Sequence, residues 1–464
     1  MKVQFYGAAQ RVTGSKHLVT TEGGTKILLD CGLFQGIKTT DLNQQFGFDP
    51  SQVNYVILSH AHIDHTGLLP RLIRKGFRGK IYATHATKSL CEIMLADSAG
   101  IQERDLKRVN KRRIKRGEEP IEVLYDQADV DRTLSMFETF DYHENNPVGE
   151  DATFKYYDSG HILGSVGVFL TFREKSGNKT LFFTGDIGRP HDKILRNPEA
   201  FPQSDYIISE STYGNRLHSP EPDVKARLLS IVRKTCVENG GKVIIPAFSV
   251  DRTQELVYAL DQLETEGKLP RIPVYVDSPL SVKATMVMKR HEEEFNQDIL
   301  SYIKRDGDAF GFDNLHYITE VEDSKALNVP NKPCIIISSS GMAEAGRVKH
   351  HIRNNIEDSR NTILIVGYCS PNSLGYALKT GRDKVKIFGK EYDVKVSVEV
   401  MDSFSAHADY AEMIDYLKCQ NTDKVKQLFL VHSEIETQTA FAERLKEVGF
   451  QNISIPAQGE GFDL

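Results

Sequence analysis

Short apolar runs broken by polar or glycine-rich turns dominate the first part of the chain. Residues 2–7 (KVQFYG), 17–21 (HLVTT) and 25–30 (TKILLD) are partly β-branched and predict strands, with the break EGGT at 22–25 between the last two. Residues 53–59 (VNYVILS) read as a buried strand running into a polar, histidine-rich segment and then a helix over roughly 67–75. A strand at 80–84 (KIYAT) precedes a long helical region. Strands follow at 153–159 (TFKYYDS), 166–172 (VGVFLTF) and 180–186 (TLFFTGD), the last two running towards polar loops.

From about residue 205 the pattern changes. Strand 205–211 (DYIISES) leads to a helix near 224–238, then strand 242–248 (KVIIPAF) and a helix from about 250. Strands 273–277 (PVYVD), 333–339 (PCIIISS) and 362–367 (TILIVG) continue the alternation, each followed by a helix. Strand and helix in regular alternation predict a parallel α/β sheet. From about 385 the sequence is strand-like again, in KIFG (386–389) and YDVKVSVEVMD (392–402). It closes with a helix over 410–418, strand 426–432 (KQLFLVH), a helix ending near 448 and strand 453–456 (ISIP).

The chain has 464 residues, enough for two or three domains, with 40% hydrophobic and 26% charged residues, as in soluble globular proteins. A formal net charge of −6 gives no global attraction for polyanions, so a nucleic-acid partner needs a local patch or metal ions. The one dense basic run, 104–116 (RDLKRVNKRRIKR), suits a solvated helix face, the usual reading of a charge run, at least as well as a phosphate contact. Cysteines at 31, 91, 236, 334, 369 and 419 form no Cys-x-x-Cys pair and predict reduced, mostly buried thiols. The first residues, MKVQFYGAAQ, lack the apolar core of a signal peptide, and no apolar run is long enough to span a bilayer. A cytoplasmic protein is expected.

Metal chemistry is the strongest local signal. His60-Ala61-His62-Ile63-Asp64-His65 packs three histidines and an aspartate immediately after a buried strand. Neutral imidazole and carboxylate suit Zn²⁺ at ligand distances of about 2.0–2.2 Å. In an extended segment His60 and His62 point the same way and can share one metal, while a turn swings Asp64 and His65 elsewhere. Strand ends supply further donors: Asp30, His161 and Asp186 close or follow apolar runs, each weak alone as ordinary turn chemistry.

The segment His60-x-His62-x-Asp64-His65 resembles the signature of the metallo-β-lactamase superfamily, with Asp30, His161 and Asp186 in order at its other sheet-end positions. Glu210 in Ser-Glu-Ser-Thr-Tyr-Gly, His407 in Ser-Ala-His-Ala-Asp and His432 in Leu-Val-His-Ser-Glu resemble motifs A, B and C of the β-CASP nucleases. The likeness runs along essentially the whole chain, including 273–278, 338–347 and 367–374. It implies an αββα metallo-β-lactamase sandwich with an inserted α/β β-CASP domain: residues 1–208, the insert 209–382, and a return segment 383–464. It further implies two zinc ions. His60, His62 and His161 would hold one; Asp64, His65 and His432 the other; Asp186 would bridge them, and Asp30 would orient a ligand.

On this likeness the chain hydrolyses RNA phosphodiester bonds by two-metal chemistry. Asp64 would also orient the nucleophile, His407 would protonate the departing oxygen, and Glu210 would hold its imidazole. Single-stranded RNA is the expected partner, with no membrane and with a homodimer open. Ser338, Ser339, Ser340 and Gly341 follow a strand ahead of an expected helix, which suits either a plain serine cap or phosphate binding by backbone N–H groups. Arg347, Lys349 and His350 suit added cation contacts and a solvated helix face equally. Two positions depart from the family pattern: Ser433 stands where glycine commonly follows the motif C histidine, and Asn372–Tyr376 reads Asn-Ser-Leu-Gly-Tyr where an arginine often ends the run. A DNA-directed β-CASP nuclease, a silent RNA-binding subunit and a small-molecule metallohydrolase are the competing readings. His432, the complete ligand set and the insert weigh against them in turn.

Overall fold

The structure, a computed structural model, describes residues 1–36, 39–218, 223–329, 332–367, 369–401 and 404–464. Its first compact unit comprises residues 1–217 and 407–464. Two seven-stranded sheets form its centre. One runs Gly461–Asp463, Lys2–Gly7, Lys16–Thr20, Lys26–Leu29, Tyr55–Ile57, Lys80–Ala83, Phe137–Thr139. The other runs Ile453–Ser454, Gln427–Val431, Tyr206–Glu210, Gly177–Phe183, Val166–Glu174, Ala152–Asp158, Asn146–Pro147.

Period-two alternation decides what each strand buries. Phe5, Val19, Ile27 and Leu29 of the first sheet pack with Phe154, Val168, Leu181, Phe183, Ile208 and Phe429 of the second, forming the core between the sheets. The alternate residues Phe182, Ile207, Leu428 and Leu430 pack on Met413, Leu417, Phe441 and Leu445 of helices Tyr410–Leu417 and Ile435–Glu447. Each such side chain stabilises the sandwich by roughly 1.5–3 kcal/mol relative to exposure. On the first sheet Leu28, Val56 and Ile81 are likewise fully buried, and Leu72, Leu90 and Leu95 bury helices Leu69–Arg74 and His85–Lys115. The layers are therefore αββα.

The second compact unit spans 218–406. Its main sheet has six strands, all parallel, in the order Leu315–Ile318, Val274–Asp277, Cys334–Ser338, Lys242–Pro246, Thr362–Ile365, Ser397–Val400. The expected boundary at residue 382 differs from this division. Ser397–Val400 pairs in parallel with Thr362–Ile365, and the hairpin Lys384–Ile387/Lys390–Asp393 contributes Val385 and Ile387 to the same core as Ile363 and Ile365. Helix Gln127–Leu134, helix Gln297–Asp306 and strands Leu315–Ile318 and Gly461–Asp463 were not anticipated. No disulfide joins any of the six cysteines, and Cys419 alone is exposed. No described helix is long and apolar enough to cross a membrane.

Candidate metal centre

Side chains with ligand chemistry in the first unit cluster just past strand ends. After Tyr55–Ile57 the chain passes through His60 and His62 and turns into the short helix Ile63–Thr66, which carries Asp64 and His65. Backbone bonds clamp that turn to the neighbouring strand end: Cys31 N donates to His65 O at 2.7 Å, Leu33 N to Ile63 O at 2.9 Å and Ser15 N to Asp64 O at 2.8 Å. Gly32 lies so close that a Cβ there would sit 1.5 Å from Asp64 O. Gly32→Ala is therefore expected to push the turn out of place, costing about 1–3 kcal/mol of unfolding free energy as overpacking does. Metal content should fall with it. Denaturant titration and elemental analysis of the purified variant check both, and parental values in the two would refute the clamp.

His161 follows Ala152–Asp158, where the Ser165 hydroxyl accepts from His161 N at 2.9 Å. Asp186 follows Gly177–Phe183 past Gly185, whose φ of +56° favours glycine. Glu210 ends Tyr206–Glu210. His407 is held in a β-bridge with Gly188, and Ala408 N donates to Ile187 O at 2.9 Å. His432, just past Gln427–Val431, takes a left-handed φ of +67° and donates its N–H to Ala8 O at 2.7 Å.

Two donor groups meet at Asp186. His60 Nε2 lies 3.1 Å from His62 Nδ1, and His161 Nε2 lies 3.3 Å from that same atom. Asp186 Oδ2 is 3.5 Å from both His60 Nε2 and His161 Nε2. In the other group His65 Nε2 is 3.0 Å from His432 Nε2, which is 3.5 Å from Asp64 Oδ2. Asp186 reaches this group as well, with Oδ2 at 3.4 Å from His65 Nε2 and Oδ1 at 3.7 Å from His432 Nε2. Asp186 Oδ1 is buried without a hydrogen-bond partner. Such a group is costly unless something else coordinates it. Imidazole and carboxylate donors converging this closely fit a pair of divalent cations.

The titration directions agree with that fit. Burial, reinforced by the neighbouring imidazoles, holds His60 and His161 well below the usual histidine range and His62 at about 4, so these rings are neutral, as ligation requires. Burial alone would raise Asp64; hydrogen bonding and charge from His432 and His65 outweigh it and lower it to about 2. Burial likewise opposes ionisation of Asp186, but His432, His65 and His60 hold its carboxyl well below the ordinary value. His65 is raised well above its usual value against burial, because Asp186 and Asp30 flank it. A cation at Nε2 would displace that one proton, while Asp30 Oδ2, 2.7 Å from Nδ1, keeps the other.

Outer partners complete the set. Ser59 donates N to Asp30 Oδ1 at 2.8 Å and Oγ to Asp30 Oδ2 at 2.9 Å, and that hydroxyl is 3.0 Å from His60 Nδ1. Thr212 Oγ1 lies 3.1 Å from His432 Nδ1. Neither Ser59 nor Thr212 was singled out from sequence, although each stands beside a motif residue. Glu210 accepts from Ile187 N at 2.5 Å and Thr212 N at 3.2 Å, and its Oε1 is 3.3 Å from His407 Nδ1.

One expectation needs correction. Ser338, Ser339, Ser340 and Gly341 do not stand at a helix N-terminus: the next helix is Val348–Asn355, capped at Arg347. Ser340 N turns back to Ala345 O at 3.3 Å, and Gly346, at φ +77°, separates this turn from the helix. Ser338 Oγ donates to Asp277 O at 2.7 Å, and Ser339 Oγ is 2.8 Å from Ser278 Oγ. Arg347, a candidate phosphate contact, is committed to Asp277 Oδ1 at 2.6 Å. Tyr368, within the motif at 367–374, lies outside the described residues.

Comparison with known proteins places this geometry. Family models match at residues 14–155 (metallo-beta-lactamase superfamily), 253–378 (Beta-Casp domain) and 391–456 (Zn-dependent metallo-hydrolase RNA specificity domain). Ribonuclease TTHA0252 of Thermus thermophilus is 34% identical over 462 residues, 99% of each chain. The chain belongs to the β-CASP family of metallo-β-lactamase-fold nucleases. An RNase J-like protein of Methanocaldococcus jannaschii is 31% identical over 95% of this chain and 94% of its own. Cleavage and polyadenylation specificity factor 73 of Drosophila melanogaster is 29% identical over 94% of this chain and 60% of its own. At the family's motif C, Ser433 is buried and its hydroxyl meets Ser211 Oγ at 2.8 Å, so the serine is absorbed by motif A rather than left facing the ligands.

Proposed function

We propose that this chain is a two-zinc ribonuclease acting on single-stranded RNA. The observation that carries the reading is the pair of donor groups sharing Asp186, whose buried Oδ1 has no hydrogen-bond partner. His60, His62 and His161 would hold one ion and Asp64, His65 and His432 the other, with Asp186 within reach of both groups. When bound, such a pair supplies an activated water and neutralises charge on the phosphoryl oxygens. Asp64 also orients the attacking water, and Asp30 fixes the tautomer of His65. As water's oxygen bonds to phosphorus, the bond to the leaving oxygen breaks and His407 gives that oxygen a proton. Glu210, hydrogen-bonded to His407 Nδ1 and two backbone amides, keeps the imidazolium charged and aimed.

RNA rather than DNA is favoured by the match of 391–456 to an RNA specificity domain and by relatives that carry ribonuclease names. Timed digestion of one sequence, made as single-stranded RNA and as DNA and labelled at either end, tests the substrate. Preferential loss of the DNA would overturn it. Elemental analysis of protein purified without chelator is expected to find about two zinc ions per chain. Ligand linkage stabilises the fold by about 4 kcal/mol when free metal exceeds Kd a thousandfold, so chelation should lower the unfolding midpoint. A stoichiometry of one, with an unchanged midpoint, would refute the paired site.

A further inference from the structure

The basic run at 104–116 takes no part in the site described above. It occupies the far end of helix His85–Lys115, whose last buried residue is Ala99. From residue 100 onward the helix continues for about 24 Å, at 1.5 Å per residue, without burying a side chain. Ile101, Leu106, Val109 and Ile114 lie on this stretch, yet none of them is buried, so it gains little from packing and is kept for what it presents.

What it presents is one-sided. At about 100° per residue, Arg104, Lys107, Arg108, Lys111, Arg112 and Lys115 fall within an arc of roughly 140°. All six are exposed, and no carboxylate falls in that arc between Arg104 and Lys115. None of the six pairs with an acid among the described residues, whereas Lys80, Lys179, Arg189 and Lys426 of the same unit do. Arg113, on the opposite side of the helix, bonds Glu118 at 2.9 Å and Glu119 O at 2.7 Å. The series 104–108–112 and 107–111–115 each space like charges at i,i+4, an arrangement that destabilises an isolated helix. A polyanion relieves that repulsion.

The root of the helix is fixed beside the metal-ligand loops. Thr84 and Thr87 both donate to Gly164 O, at 2.8 and 2.9 Å, three residues past His161, and the helix packs against Ile63–Thr66. The stripe then begins about 25 Å along the axis from Thr87. A stacked strand spans that in about 7 nucleotides at ~3.4 Å per step.

We propose that this face is a second, sequence-indifferent RNA-binding surface, which holds the phosphate backbone of long substrates at a distance from the scissile bond. The proposal rests on the ribonuclease reading for the identity of its polyanion. Its test uses RNAs of about 6 and about 30 nucleotides, one confined to the catalytic site and one able to reach the stripe. Binding is read by fluorescence anisotropy over a salt series in an Asp64→Ala background, with RNA integrity checked on a gel; cleavage is read in the parent background. The triple substitution Lys107→Gln, Lys111→Gln, Lys115→Gln should weaken binding of the long RNA roughly tenfold or more. It should also flatten the slope of log Kobs against log salt by about 2, three contacts at ~0.7 each. Affinity for the short RNA and kcat/KM on it should stay within about twofold of the parent, because the stripe lies beyond its reach. The corresponding triple substitution to arginine should retain long-RNA binding, separating charge from helix damage. An unchanged slope, or equal weakening of short and long RNA, would overturn the surface while leaving the catalytic reading intact. Loss of binding to phosphatidylserine vesicles with long-RNA affinity preserved would overturn it in favour of a lipid partner. A parent that cleaves neither RNA would count against the catalytic reading, and anisotropy would still decide the surface.

Discussion

Asp64→Ala is expected to lose at least about 10⁴-fold in kcat/KM on single-stranded RNA, the scale on which one member of a cooperating catalytic set is lost, while its far-ultraviolet circular dichroism stays parental. Asp64 stands on the short helix Ile63–Thr66, past the end of a core strand, and its side chain is 17% exposed. Removing it leaves Asp186 as the one carboxylate beside the Nε2 atoms of His65 and His432 and withdraws one of the negative charges that a pair of divalent ions would require. The fold loses no core contact, since the clamp on this turn runs through the backbone of Ser15, Cys31 and Leu33. Cleavage within tenfold of the parent, with contaminating ribonuclease excluded, would remove Asp64 from the catalytic set.

His407→Ala is expected to slow cleavage by roughly 10²–10⁴-fold, the range for a lost general acid, with both metals retained. Burial pulls the His407 pKa down, but the charge and hydrogen bond of Glu210, aided by Asp186 and Asp64, more than offset it and raise it to about 9. A general acid works only while protonated. Activity that depends on His407 is therefore present at neutral pH and declines as pH rises through that value. Cations held by Asp186 and Asp64 would offset their charge, so the decline should fall between the ordinary histidine value of about 6.5 and 9. His407→Ala should lose this alkaline limb, and Glu210→Gln should move it to lower pH. An RNA with sulfur replacing the departing oxygen needs no proton to leave, so its cleavage should be partly restored in His407→Ala. Loss of a metal in that variant would assign His407 to the ligands, and equal defects on both RNAs would make it a positioning residue.

Much of this was legible because the chemistry is local. His60 to His65 fall within six positions, and Asp30, His161, Asp186, Glu210 and His432 each close or follow a strand whose apolar pattern is plain. Strand ends converge whenever the strands share a sheet, so a pattern that finds the strands also brings the donors together. Pairing partners were harder to read. Ser397–Val400 alternates like any half-buried strand, and nothing in its residues says that it joins Thr362–Ile365 of the second unit. Gly461–Asp463 is an edge strand of three residues carried by its pairing with Lys2–Gly7, too short to show a period. The turn after Ser338 misled for another reason: Ala343 and Glu344 suit a helix, but Gly346 adopts a left-handed φ and postpones it to Val348. Ser59 and Thr212 act through hydrogen bonds to groups distant in sequence or rotated in space, which spacing does not encode.

The pairing of Tyr206–Glu210 with Gln427–Val431 has a consequence for how the chain reaches its native state. Ser211 Oγ bonds Val431 O across 220 residues of chain. Were the intervening segment a flexible coil, joining these strands would carry the full loop-closure entropy of that length, and such high contact order slows folding. The intervening segment instead has its own parallel sheet and core, and the chain leaving and re-entering the first unit meets where Tyr410 N donates to Arg216 O at 3.5 Å. An insert that orders first replaces a long coil with a short tether. The sheet that pairs Tyr206–Glu210 with Gln427–Val431 is then expected to complete late, after the insert, and refolding rates should respond to substitutions inside the insert, such as Ile336→Val at a fully buried strand position.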